Sequence, residues 1–348
     1  MIWKNSYKNK FVLMIAGEAK SGKSTFINAF LGKEILPTGV KQCTNSIIKI
    51  KYGEKLSLIL KHINGSKIVT NFEKIKQNLK ERASVNDKYR DLPVFLINEF
   101  ILKNENNINE NMIKNFIKSV RKENTYGLPY EEYNQRIRDY IQNKQNWDNI
   151  VTEIEISYPF KDDILKSVII VDSPGVNAEG RLGNITNKII KDMDAVIFVK
   201  SITGQALEHN SFMKFIKENS NDRNKENIFL LLTHSVNETK EKLEILKEEA
   251  IKIYGNKIDP KQIKYLDSKV QLFINEIKKM NPNEREEHLE KLERDNLYFD
   301  FMTPPMYMKE LNDDYIDYLK NKSNFSNIYG EILKFIGKNQ YNKIFSCG

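Results

Sequence analysis

The chain has few of the residues that form disulfides or hold metals. Its 348 residues include two cysteines and four histidines. Cys43 and Cys347 lie far apart in the sequence and match no disulfide or zinc framework, and the histidines are scattered. The sequence therefore predicts neither a disulfide scaffold nor a His/Cys metal cluster, and it suits a reducing compartment.

Long apolar runs are also missing. No stretch approaches the roughly 20 consecutive apolar residues that a membrane-spanning helix needs, and the N-terminus lacks the apolar core of a signal peptide. We therefore expect a cytoplasmic protein and expect any membrane contact to be peripheral. The formal net charge is +8, but no single basic patch stands out, so we expect a solvated basic surface and no nucleic-acid partner.

The apolar residues that are present alternate between strand-like and helix-like segments. Short apolar runs predict strands at 11–15, 47–50, 56–60, 151–156, 168–171, 196–199, 228–232 and 263–266. Helical spacing predicts helices at 25–31, 207–216 and 243–254. This alternation is typical of an α/β fold with a doubly wound, mostly parallel sheet flanked by helices.

Between residues 65 and 150 the pattern changes to helical stripes. Met112, Ile113, Phe116, Ile117 and Val120 form one stripe, and a second one follows at Tyr130, Tyr133, Ile137, Tyr140 and Ile141. We predict a mostly helical insertion at about 65–150 and a C-terminal helical extension at about 268–348, both within one domain that covers 1–348.

The most specific motif runs from Gly17 to Thr25 and follows the first predicted strand. Its residues are Gly17, Glu18, Ala19, Lys20, Ser21, Gly22, Lys23, Ser24 and Thr25. A strand, a glycine-bearing turn and a helix N-terminus make a cradle of backbone N–H groups for phosphates. In this pattern Lys23 reaches the β- and γ-phosphates and Ser24 binds Mg²⁺.

A second motif, Asp172-Ser173-Pro174-Gly175, ends a buried strand. Asp172 is predicted to hold a water of the Mg²⁺ shell, and the Gly175 N–H is placed to sense the γ-phosphate. Between the first helix and the second strand, a threonine of the segment 36–45 is expected to reach Mg²⁺ and the attacking water. Thr44 is the first choice and Thr38 the second.

These segments resemble the dynamin superfamily, and within it the GTPase domain of bacterial dynamin-like proteins. The resemblance runs through 17–47, 153–176 and 194–212 and ends near 323–336. It implies a P-loop GTPase fold, Mg²⁺-dependent hydrolysis of GTP, nucleotide-dependent pairing with a second GTPase domain as a homo- or heterodimer, and action on membranes. The membrane contact is expected through regions outside this chain, because no membrane-binding tip is seen.

The resemblance also assigns roles to residues. It makes Lys23 the phosphate lysine, Ser24, Thr44 and Asp172 the Mg²⁺ residues, and Gly175 the γ-phosphate sensor. Thr44 would also orient the attacking water. Lys20 occupies a position where relatives carry a charge-stabilising side chain, so it is a candidate catalytic residue beside Lys23 and Thr44.

One departure concerns the base. Where the family pattern has Asn or Thr, Lys, any residue and Asp, this chain has Thr233, His234, Ser235 and Val236. Valine cannot accept the guanine N–H groups. Either Asn237 or another loop group substitutes, or guanine preference is relaxed, with the His234 ring beside the base. Ser268 and Lys269 are expected in the last base-contacting loop.

Two alternatives to a GTPase acting on membranes stay open. The basic charge would suit a ribosome- or RNA-associated GTPase, although no RNA-binding module follows the GTPase part. The altered base motif would suit a nucleotide-gated scaffold with little hydrolysis. Intrinsic turnover is expected to be slow, since no glutamine or histidine base closely follows Gly175.

Overall fold

The computed structural model describes residues 10–346 except 19, 39–46, 63–64, 83–91, 105–106, 125–126, 144–150, 174–189, 204–206, 208–212, 214–215 and 218–223. Among these residues the strands are β1 (Phe11–Gly17), β2 (Ile48–Tyr52), β3 (Ser57–His62), β4 (Gly65–Val69), β5 (Val151–Tyr158), β6 (Val168–Asp172), β7 (Ala195–Ser201), β8 (Ile228–Thr233) and β9 (Ile263–Tyr265). The α-helices are α1 (Lys23–Leu31), α2 (Phe72–Arg82), α3 (Val94–Asn104), α4 (Glu110–Ser119), α5 (Tyr130–Asn143), α6 (Lys240–Tyr254), α7 (Ser268–Ile277), α8 (Pro282–Arg294), α9 (Asp313–Ser323) and α10 (Phe325–Ser346). The predicted α/β class is confirmed.

The chain forms two compact units. The first unit comprises Met1–Lys20 and Pro37–Asp194, and the second comprises Ser21–Leu36 and Ala195–Gly348. The described strands of the first unit are ordered β4-β3-β5-β2-β6-β1. In this unit β1 pairs with β6 and β2 with β5 in parallel, whereas β2/β6, β3/β4 and β3/β5 are antiparallel. The second unit contains β7, β8 and β9, which pair in that order and in parallel.

The central strands form because their side chains are apolar on both faces. Every residue of β1, β6 and β8 is buried, and so are the first six residues of β7. Such strands need cover on both sides, which is why they read as continuous apolar runs rather than alternating patterns. The strands predicted from these runs all occur, with ends that differ by a few residues.

The described residues of the segment 65–150 form one strand, four α-helices and a short 3-10 helix at Arg121–Glu123. Gly65–Val69, at the start of the expected helical insertion, is strand β4 and pairs with β3. Helices α3, α4 and α5 then share an apolar cluster, in which the buried members of both predicted stripes meet. Inside it the hydroxyl of Tyr133 donates to the Val120 carbonyl at 2.9 Å. The helix predicted at 207–216 falls largely outside the described residues.

In the second unit, α1 packs on the beginning of α10. The ring centres of Phe26 and Phe325 are 5.8 Å apart, and those of Phe30 and Tyr329 are 4.8 Å apart in an edge-to-face arrangement. Helices α7, α8 and α9 surround a separate apolar cluster. The helix that begins within the phosphate motif is thus held on α10 by the aromatic side chains of Phe26 and Phe30.

Candidate nucleotide-binding site

The first half of the phosphate motif belongs to the first unit. Strand β1 ends at Gly17, and Glu18 is buried directly after it. Lys20 is exposed and has a positive φ of 62°, a backbone conformation that costs energy for a residue with a Cβ. Ala19 lies outside the described residues. This half of the motif therefore has a buried carboxylate and an exposed lysine within three residues.

Asp172 lies at the end of the strand beside β1. It is the last residue of β6, is 1% exposed and stands opposite Ile15 in the parallel register. The next residue, Ser173, donates its N–H to the Ile15 carbonyl at 3.1 Å. The predicted Mg²⁺ carboxylate is therefore at the carboxyl end of the strand that neighbours the phosphate-loop strand. Gly175 lies outside the described residues.

The second half of the phosphate motif begins α1. Gly22 precedes the helix with a φ of 90°, and no described side chain caps the helix N-terminus. Lys23, in the first turn, is 7% exposed, and Ser24 and Thr25 follow it half-buried. The first N–H groups of a helix have no partner within the helix, so this end presents donors and a partial positive charge to an anion.

The segment after α1 is fixed by Asn28, which is fully buried. Its side-chain oxygen accepts the N–H groups of Ile35 and Leu36 at 2.9 and 2.8 Å, and its amide nitrogen donates to the Leu36 carbonyl at 2.8 Å. Sequence reasoning missed this residue, because a single Asn in a helix carries no pattern. Thr38 follows the segment and is exposed, and Thr44 lies outside the described residues.

Thr233 joins the loop after β8 to the phosphate motif. Its hydroxyl donates to the Ser21 carbonyl at 2.7 Å. A Cβ placed on Gly22 would lie 3.6 Å from that hydroxyl and 3.5 Å from Cε1 of His234. The structure thus brings Ser21, Gly22, Thr233 and His234 together, as the predicted site requires.

His234 stands where the pattern of the resembled family has a lysine. Its Nδ1 lies 3.0 Å from Ser201 Oγ and 3.3 Å from Thr233 Oγ1. Burial lowers the pKa of its ring; Asp267 raises that pKa and Lys269 lowers it, with a net shift downward. The backbone of His234 has a positive φ of 64°, which orients the loop that follows.

The loop after β9 is organised by Asp267, which is 3% exposed. Its Oδ1 accepts the N–H groups of Lys269 and Val270 at 3.0 and 3.2 Å, so it caps α7. Its Oδ2 accepts the Val236 N–H at 3.3 Å and so connects the two loops. An Asp directly before a helix is a readable cap signal, but its contact with residue 236 is not visible in a sequence.

The remaining predicted base residues differ in exposure. Ser268 is buried, whereas Asn237 is exposed at the end of the short helical turn Ser235–Asn237. The ammonium of Lys269 lies 3.0 Å from the centre of the Phe299 ring, and burial lowers its pKa although Asp267 raises it. Sequence reasoning missed Phe299, which lies 30 residues farther along the chain.

The family model described as the dynamin family matches residues 13–235. This range is well over half of the chain and contains the phosphate motif, Asp172 and the loop at Thr233. The chain belongs to the dynamin family. The resemblance to this family inferred from the sequence, and the GTPase fold that it implies, are thereby confirmed.

Individual relatives of this dynamin-family chain are similar over limited lengths. An uncharacterised protein in the xynA 3' region of Caldicellulosiruptor sp. is 27% identical over 214 residues, which cover 61% of this chain and 38% of that protein. The bacterial dynamin-like protein of Nostoc punctiforme is 38% identical over 64 residues, covering 18% of this chain and 9% of the relative. The chain thus spans well under half the length of these relatives.

A solved structure described as an oligomerised bacterial dynamin pair is also similar. It shares 13% identity at a TM-score of 0.45 and covers 85% of this chain and 36% of that one. Separately, no helix among the described residues of the dynamin-family chain has the length and apolar character needed to cross a membrane.

Proposed function

We propose that this chain is an enzyme that binds GTP on the loop from Gly17 to Thr25 and hydrolyses it between the β- and γ-phosphates. The observation that carries the proposal is the N-terminus of α1, which follows a glycine with a positive φ and holds the buried Lys23 in its first turn. Backbone N–H groups of a helix N-terminus beside an ammonium group are the chemistry that a triphosphate requires.

Mg²⁺ is the proposed cofactor, and the donor chemistry fits it. Ser24 offers a hydroxyl oxygen and Asp172 a carboxylate, and Mg²⁺ takes such hard oxygen ligands while retaining several waters. When bound, the ion would neutralise charge on the phosphates. Thr44 is proposed to complete its ligands and orient the attacking water, and Gly175 to contact the γ-phosphate. Lys20 is proposed to stabilise charge in the transition state.

The proposal extends to partners on the strength of the family alone. We infer that two GTPase domains pair when nucleotide is bound and that the protein acts at a membrane as a peripheral partner. Membership of the dynamin family supports this direction.

The test is phosphate release with GTP and Mg²⁺ by the unchanged chain and by Lys23→Ala. Removing the ammonium that faces the phosphates is expected to lower turnover by about a hundredfold or more. Lys122→Ala, which removes an exposed lysine, is the control and is expected to leave turnover unchanged. Tight GTP binding with no turnover at any protein concentration would instead favour a nucleotide-gated scaffold.

A further inference from the structure

The two loops that follow β8 and β9 are the part of the second unit where a base would lie. The strands pair in parallel, with Leu232 opposite Tyr265, so both loops leave the same edge. Ligands of open α/β sheets bind at the carboxyl ends of the strands. The first of these loops is joined to the phosphate motif by the Thr233 hydroxyl, which donates to the Ser21 carbonyl. A nucleotide held at the N-terminus of α1 therefore has these loops next to it.

A purine base is distinguished by its hydrogen-bonding edge. Guanine presents N–H donors at N1 and at the 2-amino group, and a carboxylate accepts both. Adenine has an acceptor at N1 and lacks the 2-amino group, so a buried carboxylate would face it unpaired. Sites of this kind discriminate strongly between related ligands because a lost partner leaves a buried polar group unsatisfied.

Val236, at the position of the family's carboxylate, is partly buried. Its side chain packs against the apolar cluster formed by residues of α7, α8 and α9. Its N–H donates to Asp267. The valine therefore offers no polar atom to a base, and its packing ties the turn Ser235–Asn237 to the core below it.

The Asp267 carboxylate, which contacts this turn, already accepts hydrogen bonds from the protein backbone. It accepts three backbone N–H groups, from Val236, Lys269 and Val270, and it is 3% exposed. Its backbone is held as well, because its N–H donates to the Ser323 carbonyl at 2.8 Å and its carbonyl accepts the Ser323 hydroxyl at 3.2 Å. Most of the acceptor capacity of Asp267 is therefore filled, and the side chain has almost no exposed surface that a base could contact.

Two buried hydroxyls remain. Ser235 Oγ and Ser268 Oγ have no hydrogen-bond partner among the described residues, and these serines are 1% and 5% exposed. Buried polar groups normally have a hydrogen-bond partner. Two hydroxyls without one, in the two loops on the base side of the site, therefore point to a ligand. A hydroxyl both donates and accepts, so it suits the edge of guanine and that of adenine alike.

Together with the proposed function, on which this inference rests, these contacts lead us to propose that the site binds guanine and adenine nucleotides with similar affinity. Val236 offers no carboxylate to select guanine, and the carboxylate of Asp267 is occupied by backbone N–H groups. Ser235 and Ser268 supply hydroxyls that can form hydrogen bonds with either purine. The substrate class is then purine nucleoside triphosphates in general, with GTP as one member.

The test is calorimetric titration of the full chain with GDP and with ADP in the presence of Mg²⁺. We expect the two dissociation constants to differ by less than about thirtyfold, and a larger preference for GDP overturns the inference. Binding of GDP alone, lost in Lys23→Ala, would leave the proposed function standing while this inference fails. No binding of either nucleotide would overturn both.

Two single-hydroxyl variants test the route of recognition. Ser235→Ala and Ser268→Ala are each expected to weaken GDP and ADP by a similar factor of about three to ten, since one hydrogen bond is lost in both complexes. Ser326→Ala, outside the two loops, is the control. A loss confined to GDP would show that the hydroxyls select guanine and would overturn the inference.

A substitution at Val236 can restore the carboxylate that the family pattern has at this position. Val236→Asp is expected to raise the preference for GDP over ADP by at least about tenfold, and Val236→Asn, which has a similar volume but no charge, is expected to raise it less. Because Val236 packs on an apolar cluster, circular dichroism and the melting temperature of both variants are measured first. If Val236→Asp does not fold, the comparison of GDP with ADP on the unchanged chain decides the inference.

Discussion

Among single residues, Asn28 shows how one side chain can fix a functional segment. Replacing it with leucine keeps the branched shape and the number of side-chain heavy atoms but leaves the N–H groups of Ile35 and Leu36 and the Leu36 carbonyl buried without their partner. Since each unsatisfied buried group costs about 1–3 kcal/mol, we expect Asn28→Leu to lower the free energy of unfolding by about 3 kcal/mol, measured by urea denaturation. Asn256→Ala, at an exposed turn, is the control. A loss below about 1 kcal/mol would contradict the role assigned to Asn28.

Glu153, also a single residue, makes stability depend on pH. Its carboxylate lies 2.8 Å from the Lys49 ammonium and 3.1 Å from that of Lys61. Burial alone would raise the Glu153 pKa, but the two lysines lower it below its ordinary value overall. A carboxyl whose pKa is lowered by folding stabilises the protein above its unfolded pKa, and this contribution is lost as the pH falls through the folded pKa.

Glu153→Gln should therefore be less stable than the unchanged chain at pH 7, by about 0.5–1 kcal/mol because the pair is partly solvated. The difference should shrink as the pH falls below about 4. Urea midpoints across this pH range provide the measurement, with the exposed Glu54→Gln as the control. A difference that is constant with pH would mean that the effect is not electrostatic.

At the scale of secondary structure elements, the strands buried on both faces were predictable, whereas the edge strand β4 was not. β1, β6, β7 and β8 are runs of apolar residues that no solvent-facing strand would carry. β4 has the sequence Gly-Ser-Lys-Ile-Val, its Val69 is buried, and its Ile68 is 65% exposed. A short edge strand with so little buried surface has no periodicity that a sequence could reveal.

The site divides in the same way. The phosphate motif is local in sequence, so its glycines, lysine and hydroxyls could be named from their spacing. The contact of Asp267 with the Val236 N–H joins residues 31 positions apart, and the stacking of Lys269 on Phe299 depends on the packing of two separate segments. Such contacts follow from tertiary structure, which is why the base side was the weaker part of the prediction.

The junction between α9 and α10 supports the loop after β9. Asn324 joins the helices with a positive φ of 51°, and its side-chain amide donates to the Tyr265 carbonyl at 3.0 Å. Asn324→Gly loses the hydrogen bond, but glycine tolerates the positive φ, so we expect the free energy of unfolding to fall by about 1 kcal/mol. Asn324→Ala loses the hydrogen bond and also strains the backbone at this positive φ, so it should lower the free energy of unfolding by about 2 kcal/mol. Thermal unfolding of the two variants measures the difference, and equal losses would show that the backbone conformation carries no cost.

For the whole molecule, the proposed pairing of GTPase domains implies that turnover depends on protein concentration. If two chains order each other's loops, phosphate release per chain should rise across about a hundredfold range of concentration and then level off, by mass action. Sedimentation velocity should show a dimer with a transition-state analogue of GTP hydrolysis and a monomer with GDP. Lys23→Ala, which cannot hold the phosphates, should stay monomeric in both states. Constant turnover per chain, with a monomer in every nucleotide state, would place catalysis within a single chain and remove pairing from its mechanism.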